Sequence, residues 1–250
     1  MLLSKAWRES RVRFLLALSA LALFSLGFLL NARRNFPPPE SPLLPYAAVV
    51  WSRFYAGYAG PVFAIVALIF GLGGLQRERA AGTAGFTLAL PVSRAQLLGA
   101  RALVGVLELS ALVLTPAVIV PVLSPPLVHQ AYPVSQCLKF AALFMSWGVV
   151  WFSTGFLWSI LFSGDYTAPA AAILTPFAYL VVFANLSRGG LRFRYANPFA
   201  FMSGDMDADP RAFIMGLHTG PLPWMTMAVL AIVALVLLAA ASKVTKRQSF

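Results

Sequence analysis

The sequence predicts an all-α integral membrane protein: six transmembrane helices, an N-terminal amphipathic interfacial helix and a short cytoplasmic helix between spans two and three. Of the 250 residues, 60% are hydrophobic and only 11% are charged, and the mean hydropathy is +0.79. A soluble domain has about 25% charged residues, so this chain has too few charges to cover a soluble surface. Apolar runs of about 20 residues are the length that a helix needs to cross a bilayer.

Six apolar segments are the predicted spans, and together they form one transmembrane domain, residues 1–250. Pro37-Pro38-Pro39 predicts a loop over 31–55, and Ser124-Pro125-Pro126 predicts a chain break after the third span. The very short turn 163–166 lies between the fourth and fifth segments, which we therefore expect to be antiparallel neighbours. The predicted spans are 14–30, 57–75, 95–123, 134–162, 168–186 and 222–241.

Residues 1–13 combine basic and apolar side chains, which favours a helix on the membrane surface with Trp7 at the interface. A plain basic flank of the first span is the equal alternative. Ala20-Leu21-Ala22 resembles a signal-peptide cleavage site, but the apolar run continues to Leu30, so we interpret it as a retained span. Both readings of 1–13 put the N-terminus in the cytoplasm.

The net charge of +11 predicts contact with anionic membrane lipid at the loop ends, not with nucleic acid. With both termini cytoplasmic, 11 of the 19 Lys and Arg residues lie inside, which agrees with the positive-inside rule, although Arg33 and Arg34 oppose it. The single Cys137 excludes an internal disulfide and a multi-cysteine metal site. The inside residues are Lys5, Arg8, Arg11, Arg13, Arg77, Arg79, Arg94, Arg101, Lys243, Lys246 and Arg247.

The segment between spans two and three, residues 76–94, reads as a structured elbow. Its short helical part contains Gly82 and Gly85, each of which costs about 1 kcal/mol relative to alanine, so we expect it to need a packing partner. Pro91 ends that part. Ser93 then begins the next helix, with Gln96 completing a capping box. An ordered connector without a partner is the alternative.

The elbow resembles the same region of ABC-2 type transporter permeases. The patterns E-x-A-A-G-T, L-A-L-P-V-S-R and L-x-G-x-R are matched by 78–83, 88–94 and 97–101. The resemblance implies a coupling helix that contacts a separate ATP-hydrolysing subunit. It also implies a working unit of two ATPases and two permease halves, as a homodimer or a pair. The implied contact residues are Glu78, Arg79, Gly82, Thr83, Leu88, Pro91, Ser93 and Arg94.

The sequence contains no G-x-x-x-x-G-K-[ST] motif. We therefore expect this chain to hold no cofactor and not to be an enzyme, with ATP and Mg²⁺ bound by the partner ATPase. Transport by a permease is the leading hypothesis. A membrane scaffold or assembly protein without transport is the alternative, and a neighbouring gene that encodes a P-loop ATPase favours the exporter.

Arg101 and Glu108 form a candidate polar site inside the third span. They share a helix face at i, i+7, about 10.5 Å apart along the axis, which is too far for a direct ion pair. A charged residue within a span marks a functional site by default. The alternative is that Glu108 makes a structural contact with a polar group on another span.

Acidic residues outside the spans give weaker hypotheses. Asp205, Asp207 and Asp209 begin like a calcium loop, but Pro210 stands where a glycine is required, which leaves at most a surface cation site. Asp165 with Asp205 fits an intramembrane aspartyl protease only if both lie together.

Aromatic and loop segments complete the predictions. The outer segment 187–221 keeps the apolar pieces 199–202 and 212–217, and we expect short interfacial or partly re-entrant helices within it. The Phe and Trp residues of spans four and five either line a lipophilic substrate path or pack against lipid and neighbouring helices.

Overall fold

The computed structural model describes residues 2–35, 46–72, 93–162, 166–188, 197–203, 213–214, 217–218 and 221–247. These residues are almost entirely helical. The helices are α1 (Leu2–Asn35), α2 (Tyr46–Gly71), α3 (Arg94–Val128), α4 (Val134–Leu161), α5 (Thr167–Arg188), α6 (Pro198–Ser203) and α7 (Trp224–Arg247). The strands β1 (Phe213–Ile214) and β2 (Leu217–His218) form one short antiparallel pair.

Five of these helices are long and apolar enough to cross a membrane: Leu2–Arg34, Tyr46–Gly71, Gln96–Val128, Val134–Leu161 and Trp224–Thr245. The predicted all-helical, membrane-type fold is confirmed at this level. Helix α5 forms where the fifth span was predicted, but its described apolar stretch, Thr167–Val182, is shorter than the other five. Large apolar side chains such as Leu23, Val181 and Leu235 are exposed on the outside, as lipid contact requires.

Helix α1 is continuous from Leu2 to Asn35, so residues 2–13 do not form a separate interfacial helix as one prediction had it. No proline interrupts this stretch, and it is rich in Leu, Ala and Arg, which are good helix formers. The predicted loop, residues 31–55, is also longer than the stretch that separates α1 from α2. Helix α1 extends to Asn35 and α2 begins at Tyr46, while Pro37-Pro38-Pro39 lies outside the described residues.

Helix α2 begins eleven residues before the predicted start at 57 and changes its winding along its length. It is α-helical over Tyr46–Val49, π-helical over Val50–Ala59 and α-helical again over Gly60–Gly71. Pro61 lies in the first turn of the last part and lacks the N–H that a regular helix would use there. Polar residues near the start of α2 lower the hydropathy there, so this part of the span was not predicted from the sequence. One of them, Arg53, is exposed.

Helix α3 continues through Ser124-Pro125-Pro126 to Val128, so the predicted break at these residues is wrong. Buried Ser124 donates its hydroxyl to the Val120 carbonyl at 2.5 Å, and its Oγ lies 2.6 Å from the Tyr46 hydroxyl. This tertiary contact supports a helical turn that the prolines alone disfavour. The helix ends at His129, whose φ of 58° is left-handed.

Helices α2 and α4 run parallel with their backbones in contact. Tyr55 stacks on Phe140, and further along Phe63 meets Phe144. A Cβ atom on Gly71 would lie 2.2 Å from the Phe152 carbonyl oxygen, so only glycine fits at this crossing.

Ring contacts and hydrogen bonds fix the directions of the other long helices. Helix α1 is antiparallel to α2, since Phe28 near its end packs on Phe54 near the start of α2. Helix α3 is also antiparallel to α2, through Tyr46 and Ser124. Helices α4 and α5 are antiparallel neighbours, as predicted, and α7 packs against α4 and α3.

The outer segment is only partly described. Helix α6 lies within the predicted short-helix region and buries Phe201 and Met202 completely, with Phe199 against Gly60 of α2. The predicted helix over 212–217 is wrong. Ile214 pairs with Leu217 across a two-residue spacing that contains Gly216, and this spacing is typical of a hairpin.

Candidate functional site

Arg101 and Glu108 lie on the face of α3 that packs against α1. The Arg101 side chain is 8% exposed and Glu108 is 3% exposed. Both residues line a single cavity, which agrees with the prediction that they share a helix face. Arg101 donates to Glu9 and Glu108 accepts from Ser10, and both of these partners lie on α1.

Arg101 forms an ion pair with Glu9 of α1, 92 residues earlier in the chain. Its Nη2 donates to Glu9 Oε2 at 2.9 Å. Lys5, one turn before Glu9, approaches the same carboxylate at 3.8 Å. Glu9 is a third exposed, so the pair joins a buried guanidinium to a carboxylate at the edge of the helix interface.

Glu108 accepts a short hydrogen bond from the Ser10 hydroxyl, the residue that follows Glu9. The same Ser10 oxygen lies 3.1 Å from the Ala6 carbonyl oxygen, so the side chain stays close to the backbone of α1. The positive charge of Arg13, one turn further along α1, acts on the Glu108 carboxylate. Glu108 therefore contacts a polar group of another long helix, as the alternative prediction stated.

We call Glu9, Ser10, Arg13, Arg101 and Glu108 the polar clamp. Its two carboxylates and two guanidiniums balance in charge. They surround a cavity of about 30 Å³, which is room for one or two water molecules. Rings from α2 and α4 close the other side of this cavity: Phe70, Phe152 and Phe156.

The polar clamp connects α1 with α3 at two points, through the Arg101–Glu9 ion pair and the Ser10–Glu108 hydrogen bond. No group of three His, Cys, Asp or Glu residues suited to a metal occurs in the described parts of the chain. Paired charges between two helices are a known means of fixing register.

The elbow itself, with Glu78, Arg79, Gly82, Thr83, Leu88 and Pro91, lies outside the described residues. Its C-terminal boundary is described and confirms the predicted capping box. Ser93 Oγ accepts from the Gln96 N–H at 3.2 Å, and Gln96 Oε1 accepts from the Ser93 N–H at 3.0 Å. Arg94 is the first helical residue of α3, seven positions before Arg101.

Sequence reasoning missed Glu9, Ser10 and Arg13 as members of the site. One signal was present, because Glu9 is the sole acidic residue among residues 1–39. A lone acid in a basic helix indicates a specific partner, and that partner is Arg101 of α3. Asp165, Asp205, Asp207 and Asp209, the residues of the protease and cation-site hypotheses, lie outside the described residues.

A second polar contact lies near the other end of α3. The Tyr46–Ser124 pair described above is accompanied by Tyr132, whose ring meets the Tyr46 ring edge-on at 6.4 Å. Tyr132 lies in the connection between α3 and α4 and is 3% exposed. Burial raises the pKa of its hydroxyl, so the group is neutral across the physiological range.

The class that this fold defines is a helical protein with five helices long and apolar enough to cross a membrane. No protein-family model matches the sequence, and no curated protein is detectably similar to it. A narrower assignment therefore rests on the elbow motif and on the geometry around it.

Proposed function

We propose that this chain is the membrane-spanning subunit of an ATP-driven ABC-2 type exporter. Two copies, or one copy and a related half, form the translocation path in the cytoplasmic membrane. Both termini are cytoplasmic, and residues 76–94 contact a separate ATPase present in two copies. The ATPase binds ATP and Mg²⁺.

The observation that carries this proposal is the defined start of α3 at the end of the elbow. The reciprocal Ser93–Gln96 bonds fix where the helix begins. A connector that only joined two spans would need no such specification, whereas a segment that transmits force needs a rigid junction.

The polar clamp extends this argument to a second helix. Arg101 lies about 10 Å along the axis from the start of α3 and is paired to α1. Glu108 adds a second attachment to α1 about 10 Å further on. A displacement of the elbow therefore moves α3 and α1 together, and closure of the ATPase tilts this helix pair to switch the cavity between two copies.

The geometry of α5 supports the sixth span that this topology needs. Trp158 of α4 bonds to Thr175, and further back along α4 Trp147 meets Tyr179. Helix α5 thus returns along α4 at least to its middle, and it continues to Arg188, about 13 Å beyond Tyr179. With six crossings, the two termini share one side.

The test is co-purification with a P-loop ATPase encoded beside this gene, followed by ATPase and transport assays in proteoliposomes. Leu88→Asp and Gly82→Trp are expected to abolish co-purification, because each changes the predicted contact surface. Leu88→Met is the matched control and retains it. Unchanged co-purification and transport in both variants would refute the assignment, and ATPase binding without transport would favour the scaffold.

A further inference from the structure

Two tryptophans of α4, Trp147 and Trp151, carry buried N–H groups for which the described residues provide no acceptor. They are 6% and 2% exposed, and neither Nε1 has a hydrogen-bond partner among the residues that the structure describes. Buried indole N–H groups usually find a partner. We call these two residues the indole pair, and their missing acceptor needs an explanation.

Trp158 on the same helix shows that the α4–α5 interface can provide an acceptor. Its Nε1 donates to Thr175 Oγ1 of α5 at 2.9 Å. Opposite the indole pair, α5 instead presents Tyr179, whose ring centroid lies 5.9 Å from each indole in an edge-on arrangement. The same interface therefore satisfies one tryptophan and leaves two donors open.

The indole pair lies at the middle of a helix long enough to cross a membrane. Trp147 is about 20 Å from either end of α4 along its axis. An N–H without an acceptor is least favourable in such apolar surroundings, where water is scarce. An acceptor brought by a ligand removes this penalty.

The surroundings indicate a neutral ligand. The charged residue of α4 is Lys139, about 12 Å along the axis from Trp147. Residues 166–182, which include the facing part of α5, contain no charged residue. Indole N–H groups donate to ester carbonyl and hydroxyl oxygens, and the adjacent rings bind an apolar body.

The outer side of α5 gives access to this place. Tyr179, which covers the indole pair, is only partly buried. The next two residues, Leu180 and Val181, are 40% and 62% exposed. A ligand that reaches the indole pair from this side would have to displace the Tyr179 side chain.

We propose that the indole pair binds a neutral amphiphile through hydrogen-bond-accepting oxygens. That such an amphiphile is the transported substrate rests on the proposed exporter function. The binding site itself stands on the two unmatched donors. The transported molecule would carry oxygen atoms and no charge on the part that passes the indole pair.

The experiment is ¹⁵N-indole NMR of the whole chain in ether-lipid nanodiscs. The probes are octyl glucoside below its micelle concentration, octyl trimethylammonium and octyl sulfate. Octyl glucoside is expected to move the Trp147 and Trp151 N–H signals downfield, while the Trp158 signal stays in place. Trp147→Phe with Trp151→Phe weakens binding about tenfold through the loss of two hydrogen bonds, and Trp158→Phe leaves it unchanged.

Three results would overturn the binding site: no probe shifts the pair, all three shift it equally, or the N–H signals already show exchange with an internal water. Because these signals come from the wild-type chain, the test does not depend on the folding of the variants. Ester-lipid nanodiscs distinguish the source of the acceptor. A downfield shift there without probe supports the site with bilayer lipid as its ligand. Binding in a chain that fails to co-purify an ATPase supports the site and refutes the exporter.

Discussion

Arg101 of α3 and Glu9 of α1 form an ion pair of 2.9 Å that joins the helix following the elbow to the N-terminal helix. The guanidinium is buried and the carboxylate is partly exposed. Breaking the pair from the Glu9 side leaves a buried positive charge, whereas breaking it from the Arg101 side leaves a carboxylate that water and Lys5 can reach. The two single substitutions are therefore unequal.

We predict that Glu9→Ala destabilises the protein more than Arg101→Ala. A double-mutant cycle is expected to give a coupling of about 1 kcal/mol, because one partner is partly exposed and solvent screens the pair. Thermal unfolding in detergent measures it. The charge-reversed double variant, Glu9→Arg with Arg101→Glu, is expected to recover part of the loss seen in either reversal alone. Additive losses would show that the pair contributes nothing.

Glu108 gives a second prediction, because its carboxylate holds both Ser10 and the charge of Arg13. Glu108→Leu is expected to cost about 1–3 kcal/mol, since the half-buried Ser10 hydroxyl then loses an acceptor and Arg13 loses a neighbouring negative charge. Glu108→Gln retains a hydrogen bond to Ser10 and is the milder change. Unfolding midpoints for both, with Ser10→Ala as the comparison, provide the check. Equal midpoints for wild type and Glu108→Leu would contradict a contact of this strength.

The sequence predicted those features that depend on local composition or spacing. Apolar length identified all the long helices, and the Ser93–Gln96 spacing identified the capping box. Prediction from the sequence failed where a contact with a distant residue decides the local structure. Ser124-Pro125-Pro126 looks like a break, but Tyr46, 78 residues earlier, supports the helix there. Likewise, Arg101 and Glu108 were recognisable as unusual, whereas their partners on α1 depend on a helix pairing that no local pattern shows.

The glycines at the α2–α4 crossing give a third prediction. A Cβ on Gly155 would lie 2.3 Å from the Leu68 carbonyl oxygen, whereas one on Gly99 of α3 would meet nothing within 4 Å. Gly155→Ala is expected to destabilise by about 2 kcal/mol or more, because two backbones must separate. Gly99→Ala is the matched control and is expected to stabilise by up to about 1 kcal/mol through helix propensity. Thermal unfolding distinguishes the two, and similar midpoints would contradict the close crossing.

Tyr132 gives a prediction about pH. Burial raises its pKa above the ordinary value of about 10, so the folded state favours the neutral hydroxyl. Its contribution to stability is complete below about pH 10 and is lost as the pH rises from there toward the folded-state pKa. Stability measured between pH 8 and 11 is expected to fall less steeply in Tyr132→Phe than in wild type. Identical slopes would show that Tyr132 does not titrate on unfolding.

The last prediction concerns Ser93, where the elbow meets α3. Ser93→Ala removes the acceptor for the Gln96 N–H and is expected to cost about 1 kcal/mol. Ser93→Asp retains an acceptor and is the matched control. If the junction transmits force, Ser93→Ala lowers the substrate-stimulated activity per molecule of co-purified ATPase, because a frayed first turn absorbs part of the displacement before it reaches Arg101. If it is only a connector, stability falls by the same amount and stimulation is unchanged, so comparing the two measurements separates transmission from mere folding.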